Sequence, residues 1–268
     1  MLRDITLGQY YPVASPIHRL DPRTKLMGTL VFLISLFVAD SWYCYLLATV
    51  FLGACIRISR VPLSFILRGL KAVIFLLLFS VVFNLFLTDG DVLVRFWIFK
   101  ITKQGLLQAG YMAIRLIYLI MGSSLMTFTT TPTSLTDGLE RGLGFLKIVK
   151  VPVHEIAMMM SIALRFIPIL TEEADKIMKA QMARGADFES GSLIQRAKSL
   201  IPLLVPLFIS AFRRAADLAM AMEARCYRGG EGRTKMHPLK YAGRDGVAYG
   251  LLAGYLGIMI VLKVSIVI

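Results

Sequence analysis

The 268 residues are 57% hydrophobic and only 18% charged, with a mean hydropathy of +0.69, whereas ordinary soluble domains carry about 25% charge. This excludes a soluble globule, a collagen, a disordered chain and a disulfide scaffold, and points to an integral membrane protein. The 30 Lys and Arg against 17 Asp and Glu give +13, which names no ligand, because membrane proteins collect basic residues in cytoplasmic loops to set their orientation.

Met1 to Tyr11 contains no apolar core, so no targeting peptide is expected. Apolar sequence then falls at about 26–39, 42–56, 72–87, 105–128 and 246–267, predicting five membrane spans. The first two are short, reaching roughly 21 Å of a hydrocarbon core about 30 Å thick. Asp40-Ser41 therefore predicts a tight hairpin, since one continuous helix would hold Asp40 at depth with no partner.

Basic residues set the expected orientation. Arg3, Arg19, Arg23 and Lys25 precede the first span, and Arg57, Arg60, Arg68 and Lys71 lie between the second and third. Both segments are expected in the cytoplasm, as is 129–245, which holds 17 of the 30 basic residues. The connection 88–104 and the C-terminus then lie outside. The predicted organisation is a cytoplasmic segment 1–25, membrane helices over 26–128, a cytoplasmic helical domain 129–245 and a last membrane helix 246–268. The expected fold class is thus an all-α integral membrane protein with about five transmembrane helices and a domain of long amphipathic helices.

Within 129–245, Pro132 blocks continuation of the preceding span, and Ser134 is the expected cap of a short helix reaching about Val149. A second helix is expected from Pro152 to Arg184-Gly185, kinked at Pro168. Its first half, IAMMMSIAL, is apolar, and its second, TEEADKIMKAQMARG, alternates charge. A third helix contains Pro202 and Pro206 and is expected to stop at Gly229-Gly230. The two long helices approach their ends in matching sequence, Ala180-Gln181-Met182-Ala183-Arg184-Gly185 and Ala221-Met222-Glu223-Ala224-Arg225-Cys226. Alanines three apart leave a smooth strip on one helix face, and an arginine beside it offers a rigid fork of donors to a docking partner. An arginine followed by a small residue is equally what a helix uses to stop, through its dipole and a left-handed cap.

The opening GQYYPVASPIHRLDPRTKL, the stretch ALRFIPILTEEADKIMKAQMARG and MEARCYRGG resemble the transmembrane T component of energy-coupling factor transporters, the EcfT/CbiQ family of prokaryotic vitamin and metal-ion uptake systems. The likeness spans nearly the whole chain and is closer to the shared type than to the cobalt- or nickel-dedicated type. It implies a multi-pass plasma-membrane scaffold without catalysis of its own, joined to two ATP-binding-cassette ATPases of the EcfA and EcfA′ type and to a substrate-binding S component. ATP and Mg would be bound by the ATPases, and this chain would bind no cofactor. Carried over residue by residue, Ala183-Arg184-Gly185 and Ala224-Arg225-Cys226 would be the tips of two coupling helices, each seated in one ATPase. Cys226 departs from the commoner glycine, which puts in doubt any role that needs glycine's backbone freedom.

No phosphate loop of the G-x-x-x-x-G-K-[ST] type occurs, so ATP hydrolysis is expected on another chain. Cys44, Cys55 and Cys226 have no metal-ligand spacing, and His18, His154 and His237 are scattered. Arg115 is the clear ionisable residue within a span and is expected to snorkel, pair or mark a subunit contact. Arg23, in Leu20-Asp21-Pro22-Arg23, pairs with Asp21, holds the amino-terminal segment on the coupling helices, or serves as a basic anchor beside the turn at Pro22. Met158, Met159 and Met160 offer an adaptable sliding surface or are core and lipid-facing residues. The rival functions are a self-sufficient secondary transporter, which needs polar groups at the midplane where only Asn84 and Arg115 qualify, and a lipid-modifying enzyme, which needs a cluster of Asp, His or Cys at the membrane boundary.

Overall fold

A computed structural model describes residues 10–39, 41–88, 91–96, 99–188, 192–230, 236 and 238–267. Chain contacts divide it into two compact units, one running up to Gly138 and resuming at Leu239, the other holding Leu139–Pro238.

In the first unit, Asp21 starts helix α1 (Pro22–Val38) by accepting the Arg23 backbone N–H, with proline at the first helical turn, where its missing donor costs nothing. After a break at Ala39, α2 runs over Trp42–Ser59 and ends on Arg60, whose φ of 57° is left-handed. The expected hairpin is present; Asp40, its predicted turn residue, lies outside the described residues. Helix α3 (Leu63–Leu87) bends by 64° between Leu63–Lys71 and Val73–Leu87, near where the apolar span was expected to begin. The connection to α4 (Lys103–Thr129) contains an antiparallel hairpin of β1 (Val92–Phe96) and β2 (Phe99–Thr102), with Phe96 opposite Phe99. This hairpin was not expected; VLVRF and FKIT are rich in the β-branched and aromatic residues that favour strands. Helix α5 (Pro132–Gly142) follows, and α9 (Gly243–Val267) closes the chain. The hydroxyl that accepts the Ser134 N–H at the start of α5 belongs to Thr131, so the cap lies three residues before the expected Ser134.

Among the described residues four helices are long and apolar enough to cross a membrane: α2, α4, α9 and α6 (Val153–Ala183), with bent α3 as a fifth. Helix α1, at 17 residues, is shorter than these, and α6 joins them because its first half is mostly apolar. The core of the first unit joins Phe32 and Leu36 of α1 to Tyr45, Ala48 and Leu52 of α2 and Tyr255 and Met259 of α9. Phe51 stacks on Tyr255 at 4.4 Å between ring centroids, and the Tyr255 hydroxyl lies 2.7 Å from Ser35 Oγ. A second buried cluster joins Val61, Ile66, Leu125 and Phe128, and many of the remaining large apolar residues face outward, Phe75 being 79% exposed, as expected where lipid is the solvent.

The second unit contains a 3-10 turn at Leu143–Val149, α6, the short α7 (Leu193–Ser199) and α8 (Ile201–Ala224). Pro168 lies inside α6 and Pro206 inside α8. Helix α8 ends at Ala224, several residues before the expected stop at Gly229-Gly230, because Cys226 takes up the left-handed conformation at which a helix terminates.

Candidate functional site

The two matched sequence ends have the same backbone shape. On α6, Arg184 is the C-cap (φ −90°, ψ 6°) and Gly185 follows at φ 89°; on α8, Arg225 is the C-cap (φ −92°, ψ 13°) and Cys226 follows at φ 55°. The hydrogen bonds match as well. Gly185 N–H donates to the Met182 carbonyl and Ala186 N–H to that of Gln181, both at 3.0 Å; Cys226 N–H donates to Glu223 at 2.8 Å and Tyr227 N–H to Met222 at 3.0 Å. This paired pattern satisfies carbonyls that a helix end leaves without partners. Position 226 therefore does require the conformation glycine favours, and cysteine adopts it.

Ala180, Ala183, Arg184 and Gly185 are all exposed, as are Ala221, Ala224, Arg225 and Cys226. Neither Arg184 nor Arg225 makes an ion pair among the described residues. Each end thus combines a smooth small-residue strip with an unspent guanidinium, suited to carboxylates or backbone carbonyls on a surface that approaches closely.

Helices α6 and α8 pack antiparallel. Gln181 Nε2 reaches the Pro202 carbonyl at 3.4 Å, and Arg214 Nη2 donates to Glu173 Oε2 at 2.9 Å, so the numbering rises on one helix as it falls on the other. Ile162, Phe166 and Leu170 line a cavity with Ala215, Leu218 and Met222 in the same sense. Arg225, eleven residues beyond Arg214, falls near the level of Ile162, which places the tips about 33 Å apart along the axis at ~1.5 Å per residue. At the Arg225 end, His154 Nδ1 lies 2.9 Å from Glu140 Oε1, and Gly230 packs so tightly on the His154 ring that a side chain there would collide with it. Along α8 the exposed residues Ile201, Leu204, Val205, Phe208 and Phe212 form one apolar stripe, Phe212 being 73% exposed. Of the three methionines on α6, Met159 and Met160 are exposed and Met158 is half-buried. Pro168 is exposed, between the apolar and charged halves of α6.

The LDPR sequence belongs to a knot in the first unit. Arg23 donates to both Asp21 oxygens at 3.1 and 3.2 Å, reaches the Leu239 carbonyl at 3.4 Å and lies 4.1 Å over the Tyr241 ring. It therefore makes the ion pair with Asp21. Asp245 Oδ1 accepts the Asp21 N–H at 2.8 Å, and its Oδ2 accepts that of Ala242. Lys25 Nζ donates to the carbonyls of His18 and Thr129. Burial, with the Lys25 charge nearby, pushes the His18 imidazole below its ordinary value, and the ring lies between Ser15 Oγ and the Tyr11 carbonyl. The knot ties the entry of α1 to the end of α4 and the start of α9. The HRLDPRTK run contained its His18, Asp21, Arg23 and Lys25, but nothing local in the sequence indicated Asp245 or Tyr241.

Arg115 is paired within the unit. Its Nε donates to the Tyr45 hydroxyl at 3.1 Å and its Nη2 to the Ala39 carbonyl at 3.0 Å, just past the end of α1. It caps a helix end with a charge where lipid could not supply a donor.

Residues 13–236 match the model of the family described as cobalt transport protein, CbiQ. Relatives named energy-coupling factor transporter transmembrane protein EcfT are similar over most of their length. That of Clostridium kluyveri is 53% identical over 250 residues, 92% of this chain and 93% of the relative. That of Ruminiclostridium cellulolyticum is 51% identical over 263 residues, 98% of each. That of Bacillus subtilis is 49% identical over 246 residues, 91% of this chain and 93% of the relative.

Proposed function

The chain belongs to the EcfT/CbiQ family of transporter transmembrane components, and from that premise we propose that it couples two ATPases to a substrate-binding S component during vitamin or micronutrient uptake. In this reading the exposed tips at Ala183-Arg184-Gly185 and Ala224-Arg225-Cys226 each enter a groove of one ATPase. ATP with Mg is bound and hydrolysed there, and this chain carries the movement. The N-terminus, the knot around Asp21 and the Leu139–Pro238 unit lie in the cytoplasm, in keeping with the 17 basic residues over 129–245. The apolar stripe of α8 and the exposed methionines of α6 meet the membrane and the S component, where flexible thioethers tolerate a changing partner. The cargo is chosen by the S component.

The observation that carries this reading is the matching cap geometry of the two tips at opposite ends of one antiparallel helix pair. A helix stop alone needs neither two unspent arginines nor strips of exposed alanine beside them. The test is purification from membranes that also make the two ATPases. Arg184→Glu and Arg225→Glu each reverse a charge at a docked tip and are expected to lower ATPase co-elution at least tenfold, as breaking a desolvated charge contact costs about 2–5 kcal/mol. Arg213→Glu, an equal change on the exposed flank of α8, is expected to do much less. Equal losses in all three variants would reduce the effect to general charge. Uptake by this chain without any ATPase would instead favour a secondary transporter.

A further inference from the structure

We propose that the groove between α2, the start of α3 and α4 is a binding site for one anionic phospholipid, with Arg57 and Arg60 holding the phosphate and the trough holding an acyl chain. The groove encloses about 590 Å³. Leu52, Gly53, Ile56, Leu63 and Met121 make its wall apolar, and both arginines lie at one end of it. Leu46, Val50, Gly53 and Arg57 are all exposed and share one face of α2, spaced by four, three and four residues, so the groove lies along a face turned outward to lipid.

Charge and length both select this occupant. Arg57 and Arg60 are exposed and make no ion pair among the described residues, so two guanidiniums without a protein anion line the same groove. Planar guanidiniums bind phosphate oxygens through paired N–H donors. From Arg60 to Thr49 is eleven residues, about 16 Å of helix, and half a hydrocarbon core is about 15 Å. The trough thus spans one leaflet, the reach of a single acyl chain. At its far end the polar groups are already used: the Thr49 hydroxyl donates to the Tyr45 carbonyl at 2.7 Å and lies 2.5 Å from the Tyr118 hydroxyl. That end offers a chain terminus no unmet donor. Gly53 keeps the wall open, since a side chain added there meets nothing within 4 Å.

The experiment uses the full chain purified in mild detergent and titrated, by native mass spectrometry, with dioleoyl phosphatidylglycerol or dioleoyl phosphatidylcholine. The unaltered chain is expected to bind one phosphatidylglycerol in preference to phosphatidylcholine. Arg57→Gln with Arg60→Gln is expected to weaken phosphatidylglycerol binding about thirtyfold, at about 1 kcal/mol for each arginine near an anionic headgroup. Gly53→Leu, which fills the trough and keeps both charges, is expected to weaken both lipids while leaving the melting temperature unchanged. Lys176→Gln with Lys179→Gln is the charge-matched control and is expected to bind as the unaltered chain does. Glycerol phosphate, the headgroup without its chain, should not displace the lipid. Equal affinity for the two lipids, an equal loss in the lysine control, an unaffected Gly53→Leu variant or displacement by glycerol phosphate would each overturn the proposal. So would an arginine variant that keeps its lipid but no longer purifies with a membrane partner, since the groove would then be a protein interface.

Discussion

Cys226 holds a φ of 55° where its counterpart on the other long helix is Gly185 at 89°. A side chain in this region costs about 1–2 kcal/mol, which glycine avoids. Cys226→Gly should therefore raise the stability of the purified chain by up to about 1 kcal/mol in thermal or denaturant unfolding, with ATPase association intact. Gly185→Val should lose at least as much, since a β-branched residue tolerates this backbone least. Arg115 gives a second residue-level expectation. Arg115→Met leaves the Ala39 carbonyl without this donor, and an unpaired buried polar group costs about 1–3 kcal/mol. Unfolding of the variant in mixed detergent micelles should show a loss of that size, and an unchanged midpoint would mean that water or headgroups take over the role.

Among the elements, α1 meets α4 closely at Gly122, where an added side chain would lie 2.8 Å from the Phe32 ring. Phe32 is itself buried against the Phe51 and Tyr255 rings, so it has little room to move. Gly122→Val is expected to destabilise by about 1–3 kcal/mol through overpacking. Gly28→Ala, on α1 with nothing within 4 Å, should be neutral or mildly stabilising. A ranking of the two melting temperatures checks both. The sequence made most of these helices readable, because apolar runs broken by Asp, Pro and Ser give length and ends directly: Pro152 marks the start of α6, whereas α1 starts at Pro22, where only a turn was expected. It misplaced the end of α8, where Gly229-Gly230 is the louder local signal and Cys226 the true terminator. The β1–β2 hairpin was obscured because its strands are short and sit in a charged connection.

For the whole molecule, the candidate site was legible as two tips but not as an arrangement. The repeat A-x-x-A-R identifies both ends from sequence alone, yet their antiparallel placement depends on contacts such as Gln181 with Pro202 and Glu173 with Arg214, which no local pattern announces. The knot was half legible for the same reason: Asp21 and Arg23 are neighbours in sequence, whereas Asp21 and Asp245 are 224 residues apart. At this scale the expectation concerns the two tips together. With Arg184→Glu and Arg225→Glu combined, ATPase co-elution and uptake should both be lost, more completely than in either single variant. Substantial uptake in the double variant would mean that force reaches the membrane by some other route.

The antiparallel packing of α6 on α8 has a mechanical corollary. Each helix carries its tip at the end remote from the other's, so if each tip seats on one ATPase as proposed, two motors drawing together would squeeze the pair from both extremities. Stiff rods do not shorten, and a load of that kind would make one turn or slide against the other, like the blades of shears. A modest stroke at the handles would then emerge as a sweep of the bare apolar flank of α8.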